Sequence, residues 1–595
     1  MGTDERNGPS IREELERVLA SPGFARNERL SRFLRFLVER HLAGRDEELK
    51  ESLIGVEVFG RRPDYDPKLD SIVRTEAGRL RARLIEYYAR AGSDNQVVIE
   101  VPKGGYVPVF RYPEVSGQKR TGHLTRSRLV AALVVPLVVL TAWWWMARPE
   151  SAPPIRIGVL PLDNLSADPG NEYFADGLTD EIISNLSVIE GLAVRSRTSS
   201  FALKGKTRNV GEAGAQLDVD YILEGSVARA DDQLRIYAQL VRVGDDVPVW
   251  SGKFDRTLTD ALAIQEEISH GIVNKLRLQL GRGRRRYETS VEAYDIYLRA
   301  RALDQQPMPE RFLSIEPFEH AIAKDPLFAP AYAGLASVNA LRSIQFPVDH
   351  PADELTTMRA AAEKAIHLDP LLAEAHDALA LVYAREGRWA EAEKSFRHAI
   401  ELDRNRSTTY DNFGLWLLFV LGRNEEALQQ LRLAEEADPL STSIQSHLGT
   451  VQISLERYDE AAASCLKLPA SDPTRQQCLA RVRLGQGNIA EAIQLMENAH
   501  DLSTNPQARG FLGHLYAKAG RRAEAEKLAA VSHYPNEQAL IFAGLGDKDG
   551  TFAALERMAV LGPQRIGLYL NCPEFALVRD DPRLPAFRDK VGLPR

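Results

Sequence analysis

Arginines recur along the stretch 71–91, and their spacing suits contact with the phosphates of a nucleic acid. Helical periodicity predicts one helix here, with Asp70 as its N-cap and an apolar stripe facing a core: Val73, Ala77, Leu80, Leu84 and Tyr88. The opposite face is narrow and lies between two arginine rows. This face consists of Thr75, Gly78 and Ala82, with Arg74 and Arg81 on one side and Arg79, Arg83 and Arg90 on the other.

A slim ridge between two arginine rows fits the major groove of double-stranded DNA, where the arginines would reach the phosphate backbones on both sides of the groove. The alternative is a solvated helix face on which the arginines pair with Glu76 and Glu86. The helix alone does not decide between these interpretations.

The elements around this helix favour DNA binding. Helices are predicted at 11–20, 27–42 and 49–59 before it, and strands at 96–101 and 106–110 after it. The turn between the strands is basic, with Pro102 and Lys103 followed by two glycines. Helices followed by a basic hairpin predict a winged helix.

The segments VRTEAGRLRARL and VVIEVPKGGYVPVF resemble the winged-helix DNA-binding domain of the OmpR/PhoB type. The resemblance implies a domain over 1–112, although no four-stranded sheet is evident at its start and no receiver domain precedes it. It also implies a set of DNA-binding residues: Arg74, Thr75, Gly78, Arg79, Arg81, Ala82, Arg83, Lys103, Gly104, Gly105 and Tyr106.

An uncharged stretch, LVAALVVPLVVLTAWWWMA at 129–147, follows a basic linker at 113–128. Its length is near the 20 or so apolar residues that cross a bilayer, and three tryptophans lie at one end. We therefore predict a transmembrane helix rather than a buried core helix. The charge asymmetry predicts a single-pass protein of a bacterial inner membrane, with a cytoplasmic N-terminus and a periplasmic C-terminal region. A winged helix before one span resembles the ToxR/CadC class of membrane-bound regulators.

Strands alternate with helices over 155–280, which predicts an α/β layer. The segments VLPLDNLSADPGNEYFADGLTDEII and DYILEGSVARADDQLRIYAQLV resemble the TolB-type amino-terminal domain, a family that implies no catalytic residues. Polar residues after the first strand, from Asp163 to Asp176, could bind a ligand, but turn and cap roles explain them better.

The remainder, 290–595, is helical and repetitive. Asp369, Asp403, Asp438 and Asp472 recur every 34 or 35 residues, the period of tetratricopeptide repeats. The best copy is 373–404, in which Leu379, Ala380, Tyr383, Gly387, Ala392, Phe396 and Ala399 take the positions that this repeat requires. Asp438 and Asp472 are each followed by proline, as is usual at the end of this repeat, whereas Asp403 is followed by Arg404. Such a solenoid predicts a protein or peptide partner on its concave face.

Composition is ordinary for globular protein, with 44% hydrophobic residues and a net charge of −8. The three cysteines suggest no metal site: Cys465 and Cys478 could pair, but we predict buried free thiols. No catalytic motif appears in its required context, so we expect no enzyme, although related architectures carry a nucleotide cyclase. No cofactor and no bound metal are expected.

The predicted fold class is therefore multidomain: an α+β winged helix, one transmembrane helix, an α/β TolB-like domain and an all-α repeat solenoid. The predicted function is a one-component transcriptional regulator whose partners are double-stranded DNA, the membrane and a protein or peptide. The alternative is an envelope scaffold that does not bind DNA. Whether the chain forms a homodimer stays open.

Overall fold

The computed structural model describes residues 8–21, 24, 27–62, 72–90, 97–102, 105–111, 154–206, 209–230, 233–257, 261–276, 287, 289–306, 309–345, 351–499 and 505–594. The chain divides into two compact units, Met1–Arg148 and Pro149–Arg595. Each unit is described by itself.

Helices and one hairpin build the first unit, as predicted. Its elements are α1 (Gly8–Ala20), α2 (Glu28–Leu42), α3 (Glu51–Glu57), α4 (Ile72–Arg90), β1 (Val98–Glu100) and β2 (Val109–Arg111). The strands pair antiparallel, with Ile99 opposite Phe110. Val73, Ala77, Leu80 and Leu84 of α4 are buried in the core, which confirms the predicted apolar stripe. The Tyr88 hydroxyl accepts a hydrogen bond from the Ile99 amide (3.0 Å), so α4 is joined to the hairpin.

A mixed sheet begins the second unit. Its strands are β3 (Ile155–Val159), β4 (Asp163–Asn164), β5 (Leu192–Val194), β6 (Tyr221–Ala230), β7 (Gln233–Arg242) and β8 (Val247–Thr257). The order is β5-β3-β6-β7-β8; β3 is parallel to β5 and β6, and the last three strands are antiparallel. The helices of this layer are α5 (Glu172–Ser187), α6 (Arg197–Phe201), α7 (Val210–Leu217) and α8 (Ala261–Leu276). These elements, which we call the sheet layer, confirm the predicted α/β alternation.

Helix pairs form the remainder, which we call the repeat array. It begins with α9 (Val291–Asp304), α10 (Ile315–Lys324), α11 (Ala329–Gln345), α12 (Pro351–Leu368), α13 (Ala373–Arg385) and α14 (Trp389–Leu402). It continues with α15 (Ser407–Phe413, extended by a π-helix, Gly414–Phe419), α16 (Asn424–Ala437), α17 (Thr442–Ser454), α18 (Tyr458–Lys467), α19 (Pro473–Gly485), α20 (Ile489–Glu497), α21 (Pro506–Lys518), α22 (Arg522–Val531), α23 (Pro535–Leu545) and α24 (Lys548–Met558).

The predicted repeat register is confirmed between α13 and α14. Ala392, Phe396 and Ala399 are fully buried, and the φ of Gly387 is +74°, a conformation that glycine adopts without strain. The sheet layer and the first repeat helices share one hydrophobic core that includes both Ile157 and Val338. The predicted α/β domain at 155–280 and the predicted repeat array at 290–595 therefore share one hydrophobic core.

The C-terminal segment, 559–594, folds back onto helices of earlier pairs. It contains α25 (Gly562–Asn571), α26 (Ala576–Arg579) and α27 (Leu584–Lys590). The side-chain amide of Asn571 donates to the Phe419 carbonyl (2.7 Å), and the Trp389 indole donates to the Gly592 carbonyl (3.0 Å). At Gly567 a Cβ would lie only 2.8 Å from the Val420 carbonyl oxygen, so only glycine permits this approach.

Two cysteines form a disulfide, which corrects the prediction of free thiols. Cys465 of α18 and Cys478 of α19 are bonded, and their Cα atoms are 5.7 Å apart. Cys572 is a buried free cysteine. The sequence placed Cys465 correctly in the core, but a buried position does not reveal whether a second sulfur lies beside it.

No helix in the described part of the chain is both long and apolar enough to cross a membrane. The two longest, α4 and α12, carry charged side chains along their length, whereas a span needs about 20 predominantly apolar residues. The predicted span 129–147 and the linker 113–128 lie outside the described residues. For the part of the chain that the structure describes, the fold class with a transmembrane helix and the single-pass inner-membrane localisation are therefore wrong, and neither is carried further.

Candidate functional site

The predicted DNA-binding residues lie on α4 and the hairpin, and several have partners inside the first unit. Arg74 Nε donates to Glu51 Oε1 (2.8 Å), and Arg79 Nη1 donates to Glu76 Oε1 (2.9 Å). The predicted Arg–Glu pairing through Glu76 is thus present. It does not exclude phosphate contact, because Arg79 remains 66% exposed while Glu76 is buried.

Arg81 is bound to the hairpin instead of reaching outward. Its guanidinium donates to three backbone carbonyls: Val101 (3.0 Å), Pro102 (3.1 Å) and Gly105 (2.9 Å). Thr75, Gly78, Ala82 and Arg83 are exposed on α4, and Tyr106 is half-buried against the core. Lys103 and Gly104 lie outside the described residues. The structure therefore assigns Arg81 to positioning the hairpin, a role that the sequence did not indicate.

Three of the four periodic aspartates of the repeat array accept hydrogen bonds from residues that precede the array. Asp369 accepts a hydrogen bond from the Tyr287 hydroxyl, and Asp403 accepts one from the Ser187 hydroxyl (2.7 Å). Asp438 accepts both the amide (2.9 Å) and the hydroxyl (2.5 Å) of Ser199, and burial raises the pKa of its carboxyl above the ordinary value. Sequence reasoning had identified these residues only as repeat boundaries.

A row of alternating charges lies where α5, α6, α9, α13 and α15 meet. Its order is Arg197, Asp180, Arg301, Glu374 and Arg406, with side chains 15%, 7%, 10%, 8% and 19% exposed. The central Arg301 donates to Asp180 Oδ2 and to Glu374 Oε1, both at 2.8 Å. Burial alone would lower the pKa of Arg301, but these two carboxylates raise it well above its ordinary value. Arg301 is therefore held as a cation between these two carboxylates.

The two end arginines of the row are poorly paired. Arg197 Nε stands 3.8 Å from Asp180 Oδ1, and Arg406 Nη2 stands 3.5 Å from Glu374 Oε1. Both Nε atoms are buried and have no hydrogen-bond partner in the described part of the chain. Burial lowers the pKa of Arg197, while the charge of Asp180 opposes this shift. The Arg197 guanidinium also stacks on the Phe201 ring, 3.8 Å from its centroid.

The charge row lines a cavity of about 310 Å³ between the sheet layer and the repeat array, which we call the interlayer pocket. Hydroxyl groups of Thr198, Ser407, Thr408 and Ser443 line it as well. A second cavity of about 290 Å³, the inner cleft, lies among α17, α19, α21 and α25. Trp416 and His447 line both, so the two cavities adjoin.

Sequence analysis missed the interlayer pocket because its residues are distant in sequence; Arg301 and Asp180, for example, are 121 positions apart. The sequence nevertheless contained one indication of this contact, at the junction between repeats at 403–406. This junction lacks proline, and its Asn405 amide donates to the Ser187 and Leu192 carbonyls of the sheet layer (2.5 and 3.1 Å). A departure from the repeat pattern thus marked the contact.

Models of the tetratricopeptide repeat match residues 373–406, 416–475 and 483–538. The predicted repeats are confirmed over these residues. The protein named "Putative adenylate cyclase 3" of Rhizobium meliloti (strain 1021) is 37% identical over 243 residues, which are 40% of this chain and 41% of that protein. The chain thus spans about two-fifths of that relative's length.

Solved structures of repeat proteins resemble the array at low overall similarity. YrrB, described as a TPR protein with an unusual peptide-binding site, is 21% identical and covers 33% of this chain and 96% of its own, with a TM-score of 0.25. A tetratricopeptide repeat protein from Parabacteroides merdae is 17% identical over 39% of this chain and 98% of its own (TM-score 0.31). These matches do not bear on the winged-helix, ToxR/CadC or TolB-like resemblances, which stay predictions.

Proposed function

We propose that the repeat array is a protein-interaction scaffold that holds a polypeptide segment of its partner in the inner cleft. Three repeat-model matches support an interaction role, because stacked helix pairs present extended binding surfaces. We choose this surface because the first helices of successive pairs line a cleft there.

The chemistry of the inner cleft suits an extended chain. Thr450, Thr474, Gln477 and Gln507 line it, and their hydroxyl and amide groups can meet both donors and acceptors of a peptide backbone. The C-terminal segment closes one side through Leu568 and Tyr569 of α25. The cleft is thus narrower than an open solenoid groove, and it suits a short segment rather than a folded domain.

Site-specific photo-crosslinking tests this surface. A photoreactive amino acid at Gln477, inside the cleft, should yield a protein adduct in the cells that produce the chain. The same amino acid at Glu401, exposed on α14 outside the cleft, is the matched control. We expect an adduct from position 477 that position 401 does not give. Identical adducts from both positions, or none from 477, would contradict the assignment.

A second candidate function is DNA binding by the first unit. The favouring observation is the triple hydrogen bond from Arg81 to the hairpin, which fixes the hairpin beside the exposed face of α4. That face is slim at Gly78, where a Cβ would meet nothing within 4 Å, so a groove could approach it closely. Arg79 and Arg83 would then meet phosphates.

Salt-dependent binding of duplex DNA tests this second candidate on the full chain. The double variant Arg79→Ala, Arg83→Ala should weaken binding on all sequences and flatten the salt dependence by roughly one unit of slope per lost contact. Arg35→Ala removes an exposed arginine of α2 and serves as the control. Wild-type affinity and slope in the double variant would exclude α4 as the DNA-binding element.

We propose, finally, that the chain is not a nucleotide cyclase, despite the name of its relative. The support is that no catalytic motif appears in its required context in the sequence. Purified chain that converted ATP or GTP to a cyclic nucleotide, above the level of a mock preparation, would defeat this proposal.

A further inference from the structure

We propose that the interlayer pocket binds a small anion through Arg197 and Arg406, and that the anion carries a carboxylate or phosphate group. The two guanidinium groups come from different parts of the second unit, Arg197 from the sheet layer and Arg406 from the repeat array. A bound anion would therefore bridge the two.

The first argument is the unused hydrogen-bonding capacity of these arginines. A guanidinium carries five N–H donors in a rigid fork that matches carboxylate and phosphate oxygens. Within the described residues, neither the Arg197 nor the Arg406 guanidinium donates a hydrogen bond, and the ion pairs that they make with Asp180 and Glu374 are loose, at 3.8 and 3.5 Å. A buried charge without hydrogen bonds is costly, so these positions favour an additional acceptor.

The second argument is that the carboxylates of the pocket are already engaged. Asp180 and Glu374 accept hydrogen bonds from Arg301, and Asp304 accepts one from Arg311 (2.9 Å). Asp411 pairs with His447 (2.7 Å), while Asp403 and Asp438 accept from serines of the sheet layer. The unmet groups at the pocket are thus cationic donors, which select an anion rather than a cation.

The third argument is size and polarity. A volume of about 310 Å³ lies at the lower end of small-molecule sites, which run from about 300 to 1,000 Å³. The hydroxyls of Thr198, Ser407 and Thr408 offer further hydrogen bonds to ligand oxygens or amines. The ligand class is therefore a compact polar acid.

Calorimetric titration of the full chain with inorganic phosphate, pyrophosphate and citrate, at matched ionic strength in chloride, tests the proposal. We expect saturable binding of at least one probe and a rise in melting temperature. Arg197→Gln and Arg406→Gln should each weaken that binding about tenfold or more. Arg432→Gln removes an exposed, ion-paired arginine of α16 and should leave it unchanged.

Hydrogen exchange on the wild-type chain keeps the test decisive if a variant fails to fold. The bound probe should slow amide exchange in 197–201 and 403–408 and leave exchange in α20 unaffected. Absence of saturable binding by all three probes, wild-type affinity in a folded Arg197→Gln or Arg406→Gln variant, or protection confined to other segments would each overturn the proposal.

Discussion

Asp377 is a carboxyl group with no exposed surface, inside helix α13. Burial raises its pKa to about 6, although the charge of Arg406 opposes the shift. Its Oδ2 accepts a hydrogen bond from the Asn412 side chain (3.0 Å), which does not offset the loss of water. The ionised form is therefore destabilised in the folded protein.

We expect Asp377→Asn to stabilise the protein at neutral pH. The folded pKa lies above the unfolded value of 3.8, so wild type loses stability as pH rises from about 4 to about 6. The amide avoids this loss, which amounts to roughly 3 kcal/mol at most for a shift of this size. Thermal melts at pH 4 and pH 8 check the sign of this effect. The variant should melt at a higher temperature than wild type at pH 8, and this difference should shrink at pH 4. A variant that melts earlier at pH 8 would contradict the argument.

Ala392 tests the repeat packing at one residue. It is fully buried between α13 and α14, so Ala392→Leu should overpack the helix pair and lower the free energy of unfolding by about 1–3 kcal/mol. Ala390→Leu adds the same side chain at an exposed position of the same helix and is the control. Denaturant unfolding measures both, and equal stability of the two variants would refute the register.

At the scale of elements, the disulfide joins the second helix of one pair to the first helix of the next. It closes a loop between positions 13 apart, and such a loop contributes about 3 kcal/mol by restricting the unfolded chain. The double variant Cys465→Ala, Cys478→Ala should melt lower than wild type. Reductant should lower the melting temperature of wild type and of Cys572→Ala but not that of the double variant. An effect of reductant on the double variant would point to another cause.

Local elements were predictable from the sequence because neighbouring residues determine them. Helix α4, the hairpin and the α13–α14 pair follow from apolar spacing and from the small residues that a repeat requires. Contacts between elements were not predictable in this way. Arg81 binds carbonyls some 20 positions away, and Ser199 meets Asp438 across 239 positions. No local pattern marks such a partner, which is why the interlayer pocket emerged only from the structure.

For the second unit as a whole, we expect the C-terminal segment to oppose unfolding of the repeat array from its C-terminal end. Ordinary repeat arrays unfold from their ends, because each repeat contacts only its neighbours. Here Gly592 contacts Trp389 across 203 positions, so the array cannot fray freely from its C-terminus.

Removal of 559–594 should therefore make unfolding less cooperative. Amide exchange should quicken in α14, which loses the Gly592 carbonyl as the partner of Trp389, and in α15, which loses Asn571 as the partner of Phe419. Removal of 1–148 is the control, since that unit is compact by itself and its loss should leave exchange in both helices unchanged. Wild-type exchange in the chain without 559–594 would show that the fold-back is not stabilising.

The row of aspartates also limits how the array can change in length. Repeat proteins commonly gain or lose whole repeats, because a new one needs to fit only its two neighbours. Asp403 and Asp438 meet two different residues of the sheet layer, Ser187 and Ser199, so a repeat added between these aspartates would carry Asp438 past its partner. The sheet layer thus limits the number of repeats: between 403 and 438 the array can be altered by substitution, whereas insertion or deletion of a repeat would separate Asp438 from Ser199.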